Sequence, residues 1–199
     1  MKTLKLVLTL AIFLVAINIQ AQDKKTTFGV KAVLNISNVG SSDGNYDNTK
    51  AKAGFHAGII LDYAFTQQWH LLTGLEYTTK GVKIELNPDD QKVTAAYIQL
   101  PVSAGLKLNI TDALGILIDL GPYFAYGVHG KIKEGNFEQD TFSDIALKRF
   151  DCGMNFGASL ELQKFSFRLG GELGFVNVMQ DGNDKAENRN FTLSVAYKF

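Results

Sequence analysis

The chain is short of several residue types, and each shortage excludes a class of protein. Cys152 is the single cysteine among 199 residues, so neither an internal disulfide nor a thiolate metal cluster can form. An excess of one charge is also missing, since 20 basic residues stand against 20 acidic residues. This balance argues against nucleic acid as a partner, because nucleic-acid binding demands a basic face. The length predicts one domain, or at most two.

Long apolar runs are missing too, with one exception near the first residue. Two lysines precede the run 6–17, and the small residue Ala21 follows it. The run holds about 12 apolar residues, whereas a helix needs about 20 to span a bilayer. We therefore expect residues 1–21 to be a signal peptide that is cleaved on export, rather than an uncleaved membrane anchor.

Cleavage changes the net charge and defines the domain that folds. Lys2 and Lys5 are lost, and no acidic residue goes with them, so 18 basic and 20 acidic residues remain with a net charge of −2. The predicted fold then occupies 22–199 as one domain. Because no cysteine lies near the cut, lipid attachment is not expected there.

After residue 22 no segment holds a helical period, and a period of two recurs instead. The composition of 19 Gly, 14 Phe and 7 Tyr also favours β structure. Apolar and polar or small residues alternate over 28–37, 55–65, 69–78, 98–109, 116–126, 150–162, 165–175 and 191–199. This pattern predicts about eight strands, each long enough for the ~9–11 residues of a tilted membrane strand.

The connections between these segments alternate in length. Those at 66–68, 109–113 and 163–164 are short. Those at 37–53, 81–96, 129–148 and 177–190 are long and polar. Short periplasmic turns and long outer loops are typical of an all-β, antiparallel, up-and-down transmembrane barrel with both termini on the periplasmic side.

A soluble β-sandwich would also alternate, but two further features favour the membrane barrel. The apolar stripe carries its aromatic residues at both strand ends, for example Trp69 and Phe165 at the turn end and Phe55 and Tyr77 at the loop end. Belts of aromatic residues at both ends of the strands are typical of the two lipid–water interfaces of a membrane. The opposite stripe is rich in Gly, Ser and Ala, which suit the narrow lumen of a barrel of about eight strands.

Charges of both signs also fall on the inward stripe. Lys31, Asp62 and Lys198 accompany a predicted structural network of Glu76, Lys107, Asp119, Asp151, Glu161, Arg168 and Glu172. An isolated charge in a poorly hydrated interior is prohibitively unfavourable, so we expect opposite charges to pair and to plug the lumen. For Arg168, the nearest candidate partners along the chain are Glu161 and Glu172.

Several segments resemble a known family. They are 28–38 (FGVKAVLNISN), 97–108 (YIQLPVSAGLKL), 191–199 (FTLSVAYKF), 75–81 (LEYTTKG) and 121–128 (GPYFAYGV). The chain is similar to the PorT-like outer-membrane β-barrels, small stand-alone barrels of the Bacteroidetes. The resemblance implies an eight-stranded barrel and a terminal Phe199 that the barrel-assembly machinery reads. The secretion role of the family's namesake is not carried over to this chain.

Motifs for chemistry are weak. The acidic segment 43–48 starts like a calcium loop, but Asn48 replaces the glycine of its sixth position, so a solvated outer loop explains it better. The acidic and amide residues at 181–184 are interpreted in the same way. The three histidines have no metal-binding spacing, and no serine–histidine–aspartate grouping is recognisable. We therefore predict no catalytic residue, no metal and no cofactor.

The leading hypothesis is a non-enzymatic outer-membrane barrel of a Gram-negative envelope, with a structural role or with loops that contact a protein partner. Its other expected partners are outer-membrane lipid and the assembly machinery. One alternative is an enzyme at the outer rim, for which the available residues are His56, His129, Asp151 and Ser143. A second is a soluble, lipocalin-like barrel that binds a ligand. An open pore ranks last, because such pores need ~16 strands or more.

Overall fold

The computed structural model describes residues 25–40, 49–84, 91–135, 137–142, 147–179 and 186–199. The predicted signal peptide, the segments 43–48 and 181–184, and Ser143 lie outside the described residues. The described chain forms nine strands and contains no helix of the length and apolarity that a membrane span requires. The strands are β1 (Thr26–Gly40), β2 (Thr49–Ala64), β3 (Trp69–Ile84), β4 (Gln91–Asn109), β5 (Leu114–Glu134), β6 (Phe137–Asp140), β7 (Phe150–Leu162), β8 (Phe165–Gly174) and β9 (Glu187–Lys198).

Eight of these strands close into a barrel. The hydrogen-bonded order runs β4-β3-β2-β1-β9-β8-β7-β5, and pairing of β4 with β5 completes the circle. Every pairing is antiparallel. The short strand β6 lies outside the circle and pairs with the outer end of β5, from Lys131↔Asp140 to Glu134↔Phe137. The predicted eight-stranded, up-and-down barrel is confirmed.

Tight turns close one end of the barrel. The Phe65 amide donates to the Trp69 carbonyl at 2.9 Å in the β2–β3 turn, and the Ile110 amide donates to the Leu114 carbonyl at 2.9 Å in the β4–β5 turn. Gln163 adopts a left-handed φ of 52° in the two-residue turn between β7 and β8. These are the three short connections that the sequence predicts.

The opposite end differs from its prediction. The segments 37–53, 81–96 and 129–148 were expected to be loops, yet β1, β3 and β5 continue to Gly40, Ile84 and Glu134. This part of the prediction is wrong, because it ended each strand where the outward stripe stops being apolar. The backbone pairing continues beyond that level, so a sheet of β2 to β6 projects above the barrel.

The barrel has an apolar outside and a polar inside. Ile59, Leu120 and Leu169 lie at mid-strand with 43, 55 and 56 % of their surfaces exposed. Aromatic pairs stand at the turn end, where the Phe165 and Tyr197 ring centroids are 5.2 Å apart. An exposed apolar band between aromatic rings is the surface that lipid solvates.

Candidate functional site

The lumen is filled by charged side chains in three layers. Nearest the tight turns, Lys198 Nζ lies 2.6 Å from Glu161 Oε2 and 3.0 Å from Asp62 Oδ2. His70 Nδ1 contacts the other oxygen of Asp62 at 2.6 Å. β9 therefore supplies one ammonium group that bridges carboxylates from β7 and β2, each two strands away around the barrel.

The middle layer contains a bidentate pair. Arg168 donates from Nε to Asp119 Oδ1 at 2.8 Å and from Nη2 to Asp119 Oδ2 at 2.6 Å. Across the lumen, Lys31 Nζ lies 2.7 Å from Glu76 Oε1, and His56 Nδ1 lies 3.7 Å from Glu76 Oε2. Parallel hydrogen bonds from a guanidinium group to a carboxylate are among the stronger polar contacts in proteins.

The sequence leaves the partner of Arg168 open, and the structure gives Asp119 rather than Glu161 or Glu172, the candidates nearest along the chain. Arg168 lies on β8 and Asp119 on β5, with β7 between them. The guanidinium group crosses β7 over Gly157, where an added Cβ would meet Arg168 Cζ at 2.5 Å. The pair therefore depends on a strand neighbour that lacks a side chain, and not on separation along the sequence.

The outer layer surrounds Lys80, whose ammonium lies 3.1 Å from Asp151 Oδ2 and 3.4 Å from Glu172 Oε2. The same ammonium stands 4.2 Å from the centre of the Tyr123 ring. Side-chain amide groups also donate hydrogen bonds to the two carboxylates. Asn188 donates to Asp151 at 2.9 Å. Gln99 and Asn190 each donate to Glu172 at 2.6 Å. This layer is the most enclosed of the three, because the side chain of its cation Lys80 is 1% exposed, against 11% for Lys198 and 18% for Arg168.

The structure places six residues of the predicted charge network in these layers, and Lys107 does not join them. Lys107 is half-buried near the turn end, and no carboxylate in the described part of the chain forms an ion pair with it. Sequence reasoning missed Lys80 because it ended the third strand at Thr78. Continuing the alternation of Glu76 and Thr78 by two residues would have placed Lys80 inside.

A cavity of about 90 Å³ remains in the middle of the lumen, lined in part by Lys31, Glu76 and Arg168. It has room for a small number of water molecules beside charged groups that can hydrogen-bond to them. This space is flanked by the ion pairs of the layer nearest the tight turns and by those of the outer layer. The lumen thus contains a polar chamber between two tightly paired groups of charges.

Above the outer layer, the interior becomes apolar and the loops fold over it. Phe142 packs against Gly127 and contacts the Tyr97 ring edge-on, with centroids 5.5 Å apart. Leu147 and Met179 form a β-bridge that joins the β6–β7 and β8–β9 connections. A vestibule of about 120 Å³ lies beneath them, with mainly apolar walls that include Val82, Val93, Ile132 and Val178.

Three of the residues available for an enzyme lie in the described part of the chain, and they do not come together. His56 is buried inside the barrel beside Glu76, whereas His129 lies on the exterior and contacts the Tyr77 hydroxyl at 2.8 Å. Asp151 is bound to Lys80 and Asn188 in the outer layer. Within the described ranges, no three histidine, cysteine or carboxylate side chains are grouped to hold a metal ion.

Three solved structures illustrate the similarity of fold. Neisserial surface protein A is 14% identical, with a TM-score of 0.53, and the alignment covers 86% of this chain and 97% of that protein. OprG from Pseudomonas aeruginosa is 13% identical, with a TM-score of 0.49, over 88% of this chain and 96% of that protein. Ail of Yersinia pestis is 17% identical, with a TM-score of 0.46, over 88% and 99%.

A comparison with curated proteins finds no match. The family model described as "Outer membrane protein beta-barrel domain" matches residues 20–180. This match covers most of the chain, and the closed barrel with its exposed apolar band agrees with it. The predicted localisation in the outer membrane is thereby confirmed, and the chain belongs to the outer-membrane protein β-barrel domain family.

Proposed function

We propose that this protein is a non-conducting, non-enzymatic barrel that acts in the cell envelope as a scaffold for its outer sheet and loops. The observation that carries the proposal is the outer charge layer, in which Lys80 lies between Asp151 and Glu172. An ion passing through the lumen would have to separate these groups. Separating buried, hydrogen-bonded charges costs several kcal/mol per ion, so steady conduction is disfavoured.

The apolar mouth adds a second barrier. Ions that leave water for the space beneath Phe142 and Leu147 lose hydration and gain few polar partners, because its walls are mainly apolar. Hydrophobic constrictions are known to gate channels by excluding water. The outer mouth and the outer charge layer therefore act in series against conduction.

The projecting sheet supports the loop-mediated part of the proposal. Phe137 lies at the tip of the β5–β6 hairpin and has 86% of its surface exposed. This position is well above the belt of aromatic residues at the outer lipid interface. Large exposed apolar side chains outside the membrane are favourable contact points for a protein partner. The hairpin is held by backbone pairing along four residues, so it presents Phe137 on a rigid support.

We also assign the chain to the PorT-like barrels, on the segments at 28–38, 97–108 and 191–199, and we take 1–21 as a cleaved signal peptide. Phe199 then serves as the assembly signal. Intact mass of protein from outer-membrane fractions should match a chain that begins at or near Gln22. A full-length mass would contradict the cleavage.

Planar-bilayer recording of the purified full barrel tests the scaffold proposal. We expect no steady conductance from protein whose folded insertion is checked by its heat-dependent mobility on a gel. An open trimeric porin, inserted in the same way, serves as the positive control for the bilayer. A stable and ion-selective channel of the wild-type protein would refute the scaffold and establish a pore.

A further inference from the structure

The vestibule of about 120 Å³ at the outer mouth has walls of aliphatic side chains from several parts of the fold. Val82 of β3, Val93 of β4 and Ile132 of β5 line it from the sheet. Val178 and Ala186 line it from the connection between β8 and β9. Because these side chains converge on one space, the vestibule presents an apolar surface to whatever occupies it.

The residues around the vestibule have little contact with bulk solvent. Val82, Ala95, Tyr97, Val178 and Ala186 are each at most 5% exposed, although all of them border the space. A backbone hydrogen bond of 2.9 Å from the Val178 amide to the Ala186 carbonyl holds the two residues of the β8–β9 connection together. The vestibule is therefore a built cavity and not a shallow surface groove.

The polar groups at the inner end of the vestibule are already bound to one another. Lys80 Nζ lies 3.1 Å from Asp151 and 3.4 Å from Glu172, and Asn188 donates to Asp151 at 2.9 Å. A water molecule in a cavity is held by two to four polar partners, and these groups offer few. A charged ligand would lose its hydration and meet a cation that two carboxylates already neutralise. The site therefore favours a neutral, apolar occupant.

The size of the vestibule suits a small ring. The atoms that line an empty apolar cavity lack van der Waals partners on one side, so an apolar occupant gains contacts there. Dry apolar cavities of about 150 Å³ bind benzene or xenon. The vestibule is of comparable volume, and Tyr97 adds an aromatic ring to its inner end, 5.6 Å from Lys80 Nζ. Aromatic rings attract one another in offset or edge-on arrangements.

We propose that the vestibule binds a small, neutral and mainly apolar molecule of about the size of benzene. The molecule lies between Val82, Val93 and Ile132 of the sheet and Val178 of the β8–β9 connection, above the ring of Tyr97. The charge layers lie below this site and take no part in the binding. The site is thus independent of whether the lumen conducts ions.

Methyl NMR of the full barrel in nanodiscs, titrated with benzene, tests the proposal. We expect the methyl signals of Val82, Val93 and Ile132 to shift and to reach saturation. Benzene also dissolves in the lipid, so the exposed methyl groups of Ile59 and Leu120 on the lipid face are the internal reference. Their signals should shift in proportion to the benzene added, without saturation.

Two variants that fill the vestibule from different sides complete the test. Ala95→Leu should weaken saturable binding about tenfold or more, because the added side chain displaces buried apolar surface of the ligand. Ala186→Leu should act in the same way, so the test does not depend on the folding of a single variant. The matched control is Ala57→Leu, at an exposed position of β2 between Phe55 and Ile59, and it should leave the binding unchanged. Heat-dependent gel mobility first shows that each variant is folded.

Three results would overturn the proposal. Wild-type protein without a saturable shift would show that the chain itself or water fills the vestibule. A saturable shift that persists in both Ala95→Leu and Ala186→Leu would place the benzene elsewhere. Parallel behaviour of the Ile59 and Leu120 signals would mean partition into lipid alone. A conducting barrel in the bilayer recording would refute the scaffold and leave this titration unaffected, so the two failures are distinguishable.

Discussion

The part of the barrel within the membrane and the part above it use the same strands with opposite chemistry. On β3, Glu76 and Lys80 point inward below the outer mouth, while Leu75 and Tyr77 face lipid. Two residues further on, Val82 points inward and Lys83 outward, with no change in the register of β3 against β4. The register shift at this level, between Ala51 and His56, is in the pairing of β3 with β2. The polarity of the outward side chains matches the surrounding medium, which changes from hydrocarbon to polar headgroups and water. A strand can therefore reverse its apolar face while its pairing with one neighbour stays regular.

The largest effect should come from removing the cation at the boundary between these regions. Lys80→Met leaves Asp151 and Glu172 buried without their counterion, so we expect a loss of about 3–5 kcal/mol of stability. Urea unfolding in lipid vesicles measures it. Lys133→Met, on the exposed outer face, is the matched control and should change stability by less than about 0.5 kcal/mol. Equal effects would mean that water reaches Lys80 freely.

A smaller effect is expected on the lipid side. Ile59 faces hydrocarbon at mid-strand, so Ile59→Arg should cost about 2–4 kcal/mol in the same vesicle assay. An arginine at Val128, which is exposed on the outer face of β5 two residues above Tyr126, should cost about 1 kcal/mol or less, because charges near the interface are tolerated. If both substitutions cost the same, the outer boundary of the membrane is misplaced.

The bidentate pair of the middle layer should show a moderate effect. Arg168→Lys keeps the charge but replaces two parallel hydrogen bonds to Asp119 with a single contact. We expect a loss of about 1.5–3 kcal/mol, the typical contribution of one hydrogen bond to a charged group. Lys31→Arg keeps the charge beside Glu76 at a pair that is buried to the same extent, and as the comparison it should change stability less. A neutral Arg168→Lys would show that charge, and not geometry, holds the middle layer.

The smallest effect belongs to Lys92, which lies opposite Lys83 and Lys133 on the projecting sheet, and it has the opposite sign. In vesicles of neutral lipid at low salt, Lys92→Gln removes repulsion from Lys83 and Lys133 and should raise stability by a few tenths of a kcal/mol. The gain should vanish at high salt, because screening weakens interactions between exposed charges. A loss of stability under these conditions would show that Lys92 makes a favourable contact that outweighs the repulsion.

The sequence predicts the barrel well because a period of two fixes which face each residue occupies. It places Asp119, Asp151 and Glu172 on the inward stripe, where the structure has them. It does not reveal which charges meet, because that depends on distances across the lumen, as Arg168 and Asp119 show. The balanced total charge likewise does not reveal that Lys50, Lys83, Lys92 and Lys133 lie side by side on the projecting sheet. These lysines come from four segments that only the strand register brings together.

The junction between β1 and β9 differs from all other pairings of the barrel. Those pairings join strands that follow one another along the chain, with β6 as a side branch, whereas this one joins the first strand to the last. The barrel therefore cannot close until β9 has been made. The final pairing must then overcome the loop-closure entropy of nearly the whole domain. Lys198 lies at this junction and binds Asp62 on one side and Glu161 on the other. Neutralising it should slow closure during assembly, leaving open sheets whose edge strands can pair with other chains.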